Sequence, residues 1–252
     1  MLKILDSSDY GIVEKLSEDS ILGTRICCYA RCYGFEKSFV DFWAGEGVLV
    51  ARFENTFTIK ADPHADFEEL REFIDVIGAE EIVTEAHTAT TLGFSEVQIK
   101  NGYKYIGERY YSEDVSVVDD SYISELYDII SIAIPDSFSR DKNSYLCFLS
   151  DYMYRKNRGY SRAYGVFTDG KLVSTAITSA ESDSSAVISG VACVEEYRKC
   201  GYSKKTVLTL ASLLKKENKD VYVIALNESA EGFYKHIGFT ECEKIAYISE
   251  KV

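Results

Sequence analysis

The sequence predicts an α/β protein, a mixed and mostly antiparallel sheet flanked by helices, laid down in two tandem halves. Three observations predict it. In the second half, β-rich runs and helical stretches follow one another in the order β-α-α-β-β-β-α-β-α-β. Residues 221–226 form an unbroken apolar run, the pattern of a strand covered on both faces. A tail of helix, glycine, aromatic and strand at 230–239 also has an echo at 94–103.

Residues 115–118 are strand-like, and Tyr122, Leu126, Ile129, Ile130 and Ala133 then recur at helical spacing. Asp120 or Ser121 serves as cap and Pro135 as the stop. A second helix is expected over 144–156, ending near Gly159. Strands follow at 163–167, 172–179 and 186–194, and Asp169-Gly170 marks the first hairpin. Val207, Leu210, Ala211 and Leu214 give one face of a helix beginning near Ser203. The buried strand at 221–226, a short helix at 229–236 ended by Gly238, and a last strand at 241–248 complete the half.

The first half is fainter. Residues 48–53, 57–61 and 81–84 read as strands, and Phe67, Leu70, Phe73, Ile74 and Ile77 as a helical face. Laying 94–103 on 230–239 aligns Gly102 with Gly238 and puts Gln98 where Tyr234 sits. The boundary between halves is expected near 110–114, giving domains 1–112 and 113–252.

Composition narrows the function classes. Apolar residues make up 46% and charged residues 27% of 252, ordinary globular values. Lys and Arg number 28 against 41 Asp and Glu, a net charge of −13, which argues against a nucleic-acid surface built on phosphate neutralisation. Such a charge suits a cationic small molecule better. No apolar run is long enough for a membrane span, and seven cysteines without a secretory signal read as reduced thiols, so a cytoplasmic location is expected. Cys27, Cys28 and Cys32 lack zinc-site spacing, and no metal is expected.

The segment carrying chemistry surrounds Gly201. A strand ends, a tight loop follows and a helix begins, so the first N–H groups of that helix face the loop without intrahelical partners. Arg198, Lys199, Lys204 and Lys205 make it basic, and no acid interrupts 198–205. The pattern suits a phosphate or pyrophosphate, yet it is neither a P-loop nor a three-glycine dinucleotide fingerprint. An ordinary strand-to-helix turn fits the same residues.

Val191-Ala192-Cys193 and Tyr197-Arg198-Lys199-Cys200-Gly201-Tyr202-Ser203 resemble the R-x-x-G-x-G/A signature of the GNAT acetyltransferases. Asn227-Glu228-Ser229-Ala230 and Phe233-Tyr234-Lys235-His236-Ile237-Gly238-Phe239 resemble that family's later block, and the element order matches its fold. The resemblance is clear over 115–250 and weak before it. It implies acetyl-CoA as cosubstrate and direct transfer to an amine, on a small molecule or a peptide. Backbone groups of Val191 and Cys193 would meet the pantetheine arm, the N–H groups of Arg198, Lys199, Cys200, Gly201, Tyr202 and Ser203 the pyrophosphate, and Asn227 the pantetheine. Tyr234 would be the general acid. The oligomeric state is left open, and a silent acyl-CoA-binding sensor is the alternative.

Three departures qualify the resemblance. Ser203 stands where the family has Gly or Ala and reads as an N-cap; Lys199 and Cys200 act through their backbone; and 186–194 holds no carboxylate, so no general base is assigned, Glu181, Asp183 and Glu195 lying just outside. Cys193 and Cys200 read as packing residues. Tyr145, Tyr152, Tyr154, Tyr160 and Tyr164 form either an acceptor-side aromatic surface or a packed helix face. The first half, with Asp62 and Asp66 at its strand-to-helix junction, is expected to be silent and structural, or to help shape the acceptor pocket.

Overall fold

The computed structural model describes residues 1–79, 81–135 and 138–249. The first half runs β1 (Lys3–Ile4), α1 (Tyr10–Leu16), α2 (Ile21–Tyr33), β2 (Val40–Gly45), β3 (Val48–Phe53), β4 (Thr56–Ala61), α3 (Phe67–Ile77), β5 (Glu81–Glu85), α4 (Ala86–Thr91) and β6 (Val97–Tyr105). The second runs β7 (Val115–Val117), α5 (Ile123–Ala133), α6 (Lys142–Lys156), β8 (Ala163–Thr168), β9 (Lys171–Glu181), β10 (Ser185–Cys193), α7 (Tyr202–Lys216), β11 (Asp220–Ile224), α8 (Glu228–His236) and β12 (Phe239–Ser249). Both halves share one order of strands and helices, which bears out the tandem reading. No helix among the described residues is long and apolar enough to cross a membrane.

The chain divides into two compact units that interleave the halves. Unit 1 comprises Met1–Lys104, Ile224–Lys235 and the strand from Thr240; unit 2 comprises Tyr105–Val223 and His236–Phe239. In unit 1 the strand order is β1-β2-β3-β4-β5-β12-β6, with β4 and β5 parallel and β12 antiparallel to β5. The last strand of the second half thus lies in the sheet of the first. Its side chains explain why: Ala246 and Ile248 enter the apolar core formed by Val50, Ile59, Leu70 and Ile82.

In unit 2 the order is β11-β10-β9-β8-β7, antiparallel except for β10 and β11. Asp169 and Gly170 both take positive φ (51° and 76°), the conformation a tight β8–β9 hairpin needs. On α7, Val207, Leu210, Ala211 and Leu214 are fully buried, as their spacing predicts. Each large side chain among them contributes roughly 1.5–3 kcal/mol of burial. The cap of the α5 segment is Asp119, whose carboxylate accepts from the Ser121 N–H at 2.8 Å, one residue earlier than the sequence suggested.

One alignment is corrected. Residues 97–105 are strand, so Gly102 lies inside β6 and ends no helix. The counterpart of Gly238 (φ 97°) is Gly93 (φ 78°), which closes α4 and is followed by buried Phe94 as Gly238 is by Phe239. Counting back from each glycine, Ala89 and not Gln98 holds the place of Tyr234.

Candidate active site

In unit 2, β10 pairs with β11 over only four residues, from Ser185↔Asp220 to Ile188↔Val223. On its other edge β10 stays paired with β9 as far as Cys193↔Ser174, with register shifts on the way. The Ser174 hydroxyl donates to the Ala192 carbonyl (3.1 Å) and the Val194 N–H to the Val173 carbonyl (2.9 Å). Neighbouring residues of a strand present their backbone groups to opposite edges. Val191 and Cys193, both half-buried, therefore present theirs to the edge on which the β11 ladder has ended.

Gly190 makes this turn of the strand, and sequence reading missed it. Its φ is +55°, and a Cβ there would meet Ile130 Cδ1 and Ile177 Cγ1 at 2.9 Å each. Only glycine combines that conformation with that packing.

The loop after β10 passes through a tight turn at Glu195–Tyr197, an extended Arg198 and two left-handed residues, Lys199 (φ 64°) and Gly201 (φ 81°). Gly201 is itself the N-cap of α7; no side chain caps the helix and its first turn carries no acid. Its first N–H groups are thus available to an anion, reinforced by the helix dipole. The helix starts at Tyr202, so Ser203 is its second residue and not the cap expected for it. A Cβ on Gly201 would meet nothing within 4 Å, so the glycine answers to backbone conformation and leaves open space. Arg198, Lys199 and Cys200 are exposed, and Arg198 Nε donates to the Cys193 carbonyl at 3.4 Å. Lys205 pairs with Asp114. Burial pushes the Cys193 thiol up, against the partly offsetting Ser203 hydroxyl and Arg198 charge, so it is a poor nucleophile at neutral pH.

Asn227 and Tyr234 lie together in unit 1, on the segment that forms α8. The Asn227 side-chain oxygen accepts from the Ala230 N–H at 3.0 Å and so caps the helix; the NH2 group takes no part in that bond. Tyr234 is buried, its ring 6.4 Å from that of Tyr103 and 5.3 Å from that of Phe233. Burial raises its phenol above the ordinary value, so the hydroxyl keeps its proton throughout the neutral range. The structure thus groups Val191, Cys193 and Arg198–Ser203 in one unit, and Asn227 with Tyr234 in the other.

Glu181 stands opposite Ala186, seven residues and about 23 Å of strand before Cys193. It is fully buried and bonded to Arg162 (2.7 and 2.9 Å), Lys219 (2.8 Å) and Thr178 (2.7 Å). Its place and its partners make it part of the scaffold. The tyrosines of α6 and β8 do not converge on one surface. Tyr145 and Tyr152 pack with Tyr127 and Phe148, Tyr154 stacks under Arg158 at 3.6 Å, and Tyr164 packs beside Val115, Val166 and Val173. Cys27, Cys28 and Cys32 are buried, and no metal-binding cluster occurs among the described residues.

The first half repeats the parting of strands and fills it. Its β4–β5 ladder stops after three pairs, at Thr58↔Val83. Glu85 accepts from the Ala61 N–H (3.4 Å), and His87 Nε2 lies 3.1 Å from the Ala61 carbonyl. Asp66 caps α3, and Glu68 and Glu69 occupy its first turn, leaving nothing for an anion. Hydrogen exchange should therefore show acetyl-CoA protecting amides at 198–205 and none at 62–69; protection in both would overturn the silence of the first half.

Glu85 has a carboxylate neighbour in Glu243 of β12, which accepts from the Ile21 N–H at 2.7 Å. Burial pushes both up, Glu243 to about 7 with the charge of Glu85 adding, and Lys60 opposes the rise in each. A carboxyl whose folded pKa lies above its unfolded one favours the fold at low pH, and that contribution is lost as pH rises through the folded value. Melting temperature should fall between about pH 5 and about pH 8, and Glu243→Gln should flatten the slope; an unaltered slope would clear Glu243 of causing it.

Residues 123–239 match the model of the acetyltransferase (GNAT) family. No curated protein matches the chain. Among solved structures, an acetyltransferase from the GNAT family of Colwellia psychrerythraea superposes with a TM-score of 0.62 at 12% identity, covering 100% of both chains. A tandem GNAT protein from the clavulanic acid biosynthesis pathway gives 0.59 at 14%, over 100% of this chain and 99% of that one. A GCN5-related N-acetyltransferase from Kribbella flavida gives 0.56 at 12%, over 82% and 87%.

Proposed function

We propose, from the match of residues 123–239 to the model of the acetyltransferase (GNAT) family, that this protein is an acetyl-CoA-dependent N-acetyltransferase acting on a primary amine. The observation that carries the reading is the edge of β10 beyond Ile188, followed directly by an uncapped helix start with a basic loop. Acetyl-CoA would supply the activated acetyl group on its thioester. The backbone of Val191 and Cys193 would bind its extended arm as a further strand, and the N–H groups of Arg198 to Ser203 would hold the pyrophosphate. A backbone N–H at 191–193 would also stabilise charge on the carbonyl oxygen as the amine attacks.

Tyr234 is assigned the proton that the departing sulfur requires. A phenol with pKa about 10 or above holds that proton at neutral pH, and a thiolate of pKa about 8.5 needs it only while leaving. Asn227 would orient the pantetheine through its NH2 group. The net charge of −13 favours an approaching ammonium group, on a small molecule or a peptide. Catalysis is assigned to 113–252 and a supporting role to 1–112.

The test is thiol release from acetyl-CoA in the presence of a panel of primary amines such as spermidine, tyramine, lysine and peptide amides. Amine-dependent release supports the proposal. Binding of acetyl-CoA without release from any amine would instead mark a silent acyl-CoA sensor.

A further inference from the structure

One group of contacts in unit 1 has no part in the reaction as proposed. Asn101 of β6 makes two bonds to the second half of the chain. Its carbonyl accepts from the Ala225 N–H at 2.9 Å, and its side-chain amide donates to Glu231 Oε1 at 2.7 Å. The two bonds bracket Asn227 and the start of α8. Two residues along the same face of β6, Tyr103 is fully buried with its ring against that of Tyr234. Lys235 Nζ lies 5.5 Å from the Tyr103 ring and 3.6 Å from Glu231, closing the group. The Asn101 amide is the main cause that holds the Glu231 carboxyl below its ordinary value.

A helix of nine residues is not stable by its own hydrogen bonds, so tertiary contacts set where α8 sits. A proton donor must be placed within hydrogen-bond reach of its acceptor, and about 1 Å of misplacement costs up to about 100-fold in rate. We propose that Asn101 and Tyr103 of the first half are positioning residues that clamp α8 and so aim Tyr234. The silent half would then contribute to catalysis without touching substrate. This inference rests on the assignment of Tyr234 as proton donor.

The test is a mutant cycle on the whole chain, read as steady-state thiol release from acetyl-CoA with the best amine of the panel. Asn101→Ala and Glu231→Ala should each lower kcat roughly three- to tenfold, the worth of one hydrogen bond, with the KM for acetyl-CoA within about twofold. Glu231→Gln keeps an acceptor for the Asn101 amide and should retain near wild-type rates. In a Tyr234→Phe background, Asn101→Ala should add less than about twofold. Multiplicative losses, a rise in KM in place of the fall in kcat, or equal losses in Glu231→Gln and Glu231→Ala would overturn the clamp while leaving Tyr234 in place. A Tyr234→Phe protein as fast as wild type, or no release with any amine, would overturn the parent assignment and the clamp with it. Should Asn101→Ala fail to fold, the two Glu231 variants carry the same comparison.

Discussion

Tyr234→Phe is expected to lower thiol release by about 100-fold or more, the usual worth of a positioned general acid, while leaving acetyl-CoA affinity within about twofold. The substitution removes one oxygen from a ring that is 6% exposed and keeps the ring's packing against Tyr103 and Phe233. The loss should be deepest for acetyl-CoA and shallow for an ester whose leaving group is already a stable anion, since that group needs no proton. Equal rates for the two proteins would remove Tyr234 from the mechanism and leave it a core residue.

Gly201→Val should act on the other half of the reaction, weakening acetyl-CoA binding by about 30-fold or more. Gly201 sits at φ 81°, a region that a β-branched residue enters only at a cost of about 1–3 kcal/mol. The loop can shed that strain by turning the N–H groups at the start of α7 away from the space they now face. No atom lies within 4 Å of the new Cβ, so the fold itself should survive with a melting temperature lowered by only a few degrees. A variant that binds as wild type would show that the loop does not hold the phosphates.

The second half was legible because its signals are local. Asp169-Gly170 demanded a tight hairpin, and Val207, Leu210, Ala211 and Leu214 could share a face only on a helix. The basic loop could be read for the same reason, since its residues are consecutive. The first half showed α3 through the spacing of Phe67, Leu70, Phe73, Ile74 and Ile77 but hid its other helices. In α2, Gly23, Thr24, Cys27, Cys28 and Ala30 are all buried beside Ile21, Leu22 and Ile26, so no polar face betrays a period. The turn of helix in α4 is written Ala-His-Thr-Ala-Thr-Thr, which carries almost no apolar signal.

Gly102 misled for a different reason. It is small because a Cβ there would meet Ile21 Cδ1 at 2.5 Å and Glu243 Cγ at 3.1 Å, contacts from far along the chain. Gly190 was invisible inside an apolar run because its left-handed turn depends on Ile130 and Ile177. The exchange that puts β12 beside β5 was beyond local reading altogether. Apolar alternation in β12 says that the strand is covered, not which half covers it.

In the proposed function the edge of β10 beyond Ile188 and the turn at Gly201 together receive acetyl-CoA. Isothermal titration of the intact protein with acetyl-CoA tests it most directly. One molecule bound per chain, with the heat lost in Gly201→Val, is the predicted result. A well-folded wild-type protein that gives no heat, or that binds two molecules, would contradict it.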